Sequence, residues 1–265
     1  MTEFIINNKT LILVISAALF FALETFRPLF ESLPEKRSRH IFRNVMYSVF
    51  NFLIFGFGYG LALIQIDIIS EDLGFGLFYN LFWPSWLETI LILLILDLAL
   101  YIWHVANHKI TFLWKFHQVH HSDLIVDFSS ASRFHVGELA MSAIIRLILL
   151  VLLGISLWQI AIFELIVILC AQFNHSNMRL PLWFEPLLRW FMVTPEMHHI
   201  HHSDKPRETD SNYCTTISLW DRLFGTFFWR SDIKNISIGL KQYPKQESVT
   251  FWKIITMPLR NKRRP

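Results

Sequence analysis

The sequence predicts an all-α integral membrane protein with four to five transmembrane helices and a cytoplasmic helical cap carrying a histidine-rich dimetal site. Three observations predict it. The 265 residues are 53% hydrophobic and only 17% charged, whereas soluble domains carry about a quarter charged residues. Several apolar runs reach the roughly 20 residues that a helix needs to span a bilayer. Finally, nearly the same word is written twice, "KFHQVHHSD" at 115–123 and "EMHHIHHSD" at 196–204.

Five apolar runs set the elements. The first covers about 10–26 and ends near Pro28; its leader "MTEFIINNK" lacks the basic charge of a secretory signal, so it reads as a membrane helix. The second covers 45–66 and the third 86–108. The fourth and fifth share the block 139–173, broken at "LGIS" (153–156). That block is too long for one crossing and long enough for a tight helical hairpin. "GFGYG" (56–60) lies inside a span with no strand before it, so its small residues read as helix packing and not as a nucleotide loop. The chain divides into N-terminal membrane helices (1–85), a histidine-box domain (86–229) and a basic C-terminal tail (230–265).

Charge gives the expected orientation. Arg27, Lys36, Arg37, Arg39 and Arg43 lie between the first two runs, and Asp67, Glu71 and Asp72 lie between the second and third. The positive-inside rule places the first loop in the cytoplasm and the second outside. Helix three and the hairpin then deliver every histidine group to the cytoplasmic face, with the terminal "RNKRRP" on the same side. A bacterial inner membrane is the expected location. The net charge of +3 points to no nucleic-acid partner, and two cysteines make no disulfide framework. Cys170 sits in an apolar run and reads as packing.

Nine of the twelve histidines fall in three short clusters. His104 and His108 are four residues apart, on one helical face. His117, His120 and His121 form H-x-x-H-H, and so do His198, His201 and His202. Neutral imidazole is the commonest protein metal ligand and suits iron, zinc, copper and nickel. Eight rings are twice what a four-coordinate ion needs, so two metals are expected. His175, where the fifth run meets the cytoplasm, is expected as a ninth ligand. His199 fills an x position and should point away; His135 is open between ligand and outer support. His40 stands alone among arginines and reads as a packed or snorkelling side chain, not a ligand. Asp97 and Glu164 lie inside spans on the faces of His104 and His175, where a carboxylate is costly and usually functional. They are expected to support the rings or line a substrate cavity, with an interhelical pair to Arg146 as the plainer reading. In 207–227, Asp210, Asn212 and Asp221 read either as supports for the box rings or as parts of a structural lid.

The H-E-x-x-H of zinc peptidases is absent. Rings without compensating carboxylates leave the metal charge in place, which suits a strong oxidant, and the bilayer offers C–H bonds. The ordered boxes, with "SRFHVGE", "FNHSNMRLP", "TPEMHHIHHSD" and "RETDSNY…SLWDRLFGTF", resemble the fatty acid hydroxylase and sterol desaturase superfamily over about 86–229, notably bacterial sterol-desaturase-like members akin to alkylglycerol monooxygenase. The resemblance implies a non-haem di-iron enzyme that uses O2 to hydroxylate or desaturate a fatty acyl, sterol or ether lipid. It also implies a separate electron donor: a ferredoxin, a small cytochrome, a quinone or a pterin. One departure is Cys214, where the pattern expects glycine after "DSNY"; it bears on loop shape. The competing class is a non-enzymatic membrane metal-binding or transport protein. If a lipid chain enters, it should run between helices three, four and five past Ala99, Leu100, Tyr101, Ile168 and Ala171.

Overall fold

A computed structural model describes residues 2–31, 36–81, 83–245 and 249–260. The described residues are helical, with isolated β-bridges and no strand. Five helices are long and apolar enough to cross a membrane. They are α1 (Thr2–Phe26), α2 (Arg37–Leu73), α3 (Ser85–Lys109), α5 (Val136–Leu153) and α6 (Leu157–His175). The cap contains α4 (Thr111–His121), α7 (Glu185–Leu188), α8 (Pro195–His201), α9 (Pro206–Thr209) and α10 (Leu219–Leu223).

The most apolar 18-residue stretches of the spans bury only 6% to 28% of their residues inside the protein. Leu19, Leu53, Ile64, Ile102 and Ile148 stand exposed on them, an outer face that only hydrocarbon can solvate without cost. Inside the bundle, Leu63, Ile92, Leu96, Leu150, Ile160 and Phe163 form one buried cluster.

The hairpin expected in 139–173 is present. Gly154 ends α5 in the left-handed region at φ 72°, a conformation that glycine adopts without steric cost. Ser156 and Gln159 form a capping box that starts α6, and Asp67 Oδ1 accepts from Leu157 N at 2.8 Å. A Cβ on Gly76 would sit 2.4 Å from the Gly154 Cα, so the loop after α2 can lie flush on this turn only as glycine.

Two sequence expectations change. The second span is far longer than 45–66: α2 runs 37 residues. It continues through His40 and Asn44 because both find buried partners, and through Asp67 and Glu71, which the hydropathy pattern treats as loop. Within it Phe52–Gly56 form a π-turn, a feature frequent at functional sites. The described part of 230–265 is no loose tail, since Leu240, Tyr243, Val249 and Met257 pack in one cluster with Tyr47, Trp114 and Val119. Residues 261–265 of the basic terminus lie outside the described residues.

The end of α1 is fastened beside the site. Glu24 accepts from the backbone N–H groups of Phe128 and Asn177, at 2.8 and 2.9 Å, and pairs with Arg37. This ties α1 to the segments that follow α4 and α6.

Candidate metal centre

Four helices bring their histidines to one place. The last turn of α3 carries His104 and His108, α4 carries His117, His120 and His121, α6 ends on His175, and α8 carries His198, His201 and His202. Helical phase sorts the rings into two groups, each with donor atoms within 4.8 Å of one another. The five-ring group holds His104, His108, His117, His121 and His201; the four-ring group holds His120, His175, His198 and His202. All nine are buried.

Within the five-ring group, His104 Nε2 lies 3.1 Å from both His117 Nε2 and His201 Nε2. In the four-ring group, His175 Nε2 lies 3.1 Å from His120 Nε2 and 3.0 Å from His198 Nε2, and His198 Nε2 lies 3.2 Å from His202 Nε2. Nitrogens bound to one ion at about 2.1 Å, with neighbouring bonds at 90–110°, are separated by about 3.0–3.4 Å. The spacings therefore fit a metal in each group. Ring chemistry agrees: His121 is fully buried, yet neither of its nitrogens has a hydrogen-bond partner, a cost that a bound ion would relieve at one of them. Burial, and after it the neighbouring rings, pushes His120, His121, His198 and His202 well below the ordinary imidazole range. They are neutral at physiological pH, the form that ligates.

Several outer nitrogens are held by acceptors, which fixes those rings' orientation and leaves the inner lone pair free, whereas Nδ1 of His120, His198 and His202 is buried with no partner. His104 Nδ1–H donates to the Tyr213 carbonyl and His201 Nδ1–H to the Ser211 carbonyl, each at 2.6 Å. His175 Nδ1–H donates to Ala171 O at 2.8 Å, inside its own helix. His117 Nδ1–H donates to Glu138 Oε1 at 2.8 Å, and Asn107 steadies the same oxygen at 3.2 Å. Asp210 Oδ1 lies 3.5 Å from His108 Nδ1.

The loop 210–214 thus serves as a carbonyl rack, and its surroundings explain its shape. Asn212 sits at φ 53°, tolerable for asparagine. Its side chain donates to Met197 O and Phe228 O, at 3.2 and 2.9 Å, and accepts from Phe228 N at 2.9 Å. Asp221 accepts from Tyr213 N and Cys214 N at 2.8 and 3.0 Å. Neither Asn212 nor Asp221 contacts a box ring; both hold the backbone that does. Cys214 is buried and needs no left-handed backbone, so the departure from glycine costs the loop nothing.

Other expected residues lie elsewhere. His199 is buried apart from both groups, with Nδ1 2.8 Å from Pro195 O and Nε2 3.3 Å from Val126 O. His135 caps α5, accepting from Gly137 N at 3.0 Å, with Nε2 3.0 Å from Ile255 O; it touches no box ring because capping turns it away. Asp97 accepts from Trp220 Nε1 at 2.8 Å and from Thr216, so it anchors the 214–220 segment to α3. Glu164 meets Lys9, Tyr59 and Arg146. Of the two readings of His40 the packed one holds: it is fully buried, with Nδ1 3.0 Å from Asp127 Oδ2 and Nε2 2.9 Å from Asp123 Oδ2. Glu138 ends the word "SRFHVGE", on a different helix from His117, and nothing in the sequence shows its direction toward that ring.

A cavity of about 560 Å³ opens from the helices to the rings, within the size range of small-molecule sites. His104 and His117 of one group and His120, His175 and His198 of the other line its inner end. Leu100, Val167, Ile168 and Ala171 form part of the wall, joined by Phe52 and Phe55 of the π-turn; Ala99 and Tyr101 do not line it. Tyr101 instead donates or accepts at Thr226 Oγ1, 2.9 Å away, and stacks on Phe224.

Comparison with known proteins agrees. An alkylglycerol monooxygenase from Danio rerio is 32% identical over 157 residues, covering 57% of this chain and 32% of the relative. An ornithine lipid hydroxylase from Rhizobium tropici is 33% identical over 149 residues, covering 55% and 43%. The human cholesterol 25-hydroxylase is 27% identical over 137 residues, covering 51% and 48%. The chain thus spans less than half the length of these relatives. No solved structure matches it. The family model for fatty acid hydroxylase matches residues 89–226, more than half the chain and the whole of the two ring groups, and the chain belongs to that family.

Proposed function

We propose that the protein is a membrane-bound non-haem di-iron oxygenase that uses O2 and a separate electron donor to hydroxylate a lipid chain. One observation carries the reading: a single cavity, walled by membrane helices, ends on rings from both histidine groups. The relatives' names, a monooxygenase and two lipid hydroxylases, favour hydroxylation over desaturation. Two irons bound by His104, His108, His117, His121 and His201 and by His120, His175, His198 and His202 would supply O2 activation and C–H oxidation. The overall reaction takes one C–H bond, one O2, two electrons and two protons to one C–OH and one water.

The chain's own groups set the conditions. Phe134 stacks on His120 with centroids 4.3 Å apart, covering that ring against water and reorientation. Glu138 and the carbonyls of Ser211 and Tyr213 hold the rings before any substrate arrives, so no reorganisation is needed at reaction. Leu100, Ile168 and Ala171 place an alkyl chain against the ring end of the cavity, and small errors in such placement are costly in rate. A metal-transport reading would need ligands along the spans; among the described residues both metal-capable groups sit at one end of the helices. We place that end in the cytoplasm of a bacterial inner membrane, from the basic residues between α1 and α2. Reporter fusions after Lys36 and after Glu71 should then lie on opposite sides.

The test supplies membranes containing the full chain with heavy-isotope O2 and a reducing system, then compares their lipids with those of membranes holding His120→Ala. A hydroxylated lipid carrying the heavy label, absent from the variant, supports the reading. Iron-loaded protein that consumes no O2 and changes no lipid under several donors contradicts it.

A further inference from the structure

The cavity has a second polar end. Ser142 and Arg146 on α5 and Glu164 on α6 line it together with the rings. Glu164 is well supplied: Tyr59 Oη–H donates to Oε1 at 2.8 Å and Lys9 Nζ to Oε2 at 3.3 Å. Arg146 is not. Its Nη2 donates to Ser142 Oγ at 3.2 Å, its Nη1 stands 3.8 Å from Glu164 Oε1, and its Nε is buried with no partner. A guanidinium has five N–H groups to satisfy, and a charge within a span is expensive and usually functional. Lys9 and Arg146 against Glu164 also leave one positive charge over. A purely hydrocarbon tail at this end would leave those donors dry; an anionic head would satisfy them.

The separation of the two ends is a length. Arg146 lies eight residues along α5 from Glu138, which holds His117, or about 12 Å at 1.5 Å per residue. Glu164 lies eleven residues along α6 before His175, or about 16 Å. An extended chain advances about 1.2 Å per bond, so some 10 to 13 bonds separate them. The wall between is mainly apolar, at Leu100, Leu139, Val167, Ile168 and Ala171, with Ser48, Asn51 and Gln172 as polar members.

We propose that Arg146 receives the anionic head of a single-chain amphiphile, so that oxidation falls about 10 to 13 bonds from that head. The regiochemistry rests on the oxygenase reading; the head-group site does not. Glu164, Lys9 and Tyr59 keep the guanidinium positioned without saturating it.

The experiment measures equilibrium binding of radiolabelled palmitate and of hexadecanol to full-length protein in neutral detergent, without reductant, so no turnover is required. Wild type should bind palmitate at least tenfold more tightly than hexadecanol. Arg146→Gln should lose that preference while keeping wild-type metal content, and Arg146→Lys should keep part of it. An Arg146→Gln protein that retains its metal and its full preference for palmitate overturns the proposal, as does a wild type that prefers hexadecanol or binds both equally. Loss of the preference with no oxygenated product from any donor would leave the head-group site standing and strike the oxygenase reading instead.

Discussion

The two H-x-x-H-H-S-D boxes are spelled alike and anchored differently. The first gives His117 and His121 to the five-ring group and His120 to the four-ring group; the second gives His198 and His202 to the four-ring group and His201 to the five-ring group. Each box therefore straddles both groups, two rings one way and one the other, in opposite senses. Helical spacing alone produces this. The anchors do not follow the spelling. In the first box the aspartate is the anchor: Asp123 is fully buried between His40 and Arg133 and accepts from Ser130 Oγ at 2.8 Å. Burial alone would raise its pKa, but the His40 and Arg133 charges and these hydrogen bonds hold it well below the ordinary carboxylate range. In the second box the serine takes over, as Ser203 donates to Glu208, which Arg230 Nη1 meets at 2.6 Å. Asp204 is only partly buried and contributes its backbone N–H to Ser237 O at 2.8 Å. The same word thus secures the ligand geometry, while the surrounding chain decides which of its residues carries the packing.

The largest effect should come from the unequal ring counts. Removing one of four rings leaves three, whereas removing one of five leaves a full four-coordinate set. His202→Ala should reduce bound metal from about two ions per chain to about one, while His121→Ala should keep both, the second more weakly. Elemental analysis of the purified variants reads this directly, and equal losses in both would break the comparison between the groups.

Next come the anchors. Asp123→Ala removes one of the two carboxylates on buried His40 and the carboxylate that faces Arg133, and breaking a buried ion pair costs about 3–5 kcal/mol. Asp204→Asn, at a partly exposed side chain, should stay within about 0.5 kcal/mol. Thermal unfolding in detergent should show a large drop for the first and nearly none for the second. Similar drops would mean that both aspartates are structural.

A smaller effect is expected from the carboxylate behind His117. Glu138→Gln should weaken metal binding by about 10–100-fold, measured by competition with a chelator. Asp210→Asn should change it much less, since Asp210 stands 3.5 Å from His108 and is a quarter exposed. A larger loss from Asp210→Asn would reverse the assignment of support.

Periodicity made much of this readable in advance. The five spans, the hairpin break at 153–156 and the clustering of His104, His108 and the two boxes follow from apolar run length and from spacings of three and four. What could not be read are contacts between segments far apart in sequence. His40 meets Asp123 across 83 residues, so its neighbours in sequence, arginines, do not show what it packs against. Glu138 ends the motif "SRFHVGE", but only the turn of α5 aims it at His117. Asp97 had the right helical phase for His104, but Trp220 and Thr216 from the cap claimed it. Phase names a face; it does not say which neighbour arrives there.

Metal stoichiometry tests the central claim most directly. Full-length protein, prepared with ample iron and purified in neutral detergent, should contain about two iron ions per chain, one for each ring group. A folded, iron-supplied protein holding one ion or none would contradict the two-group account of the site.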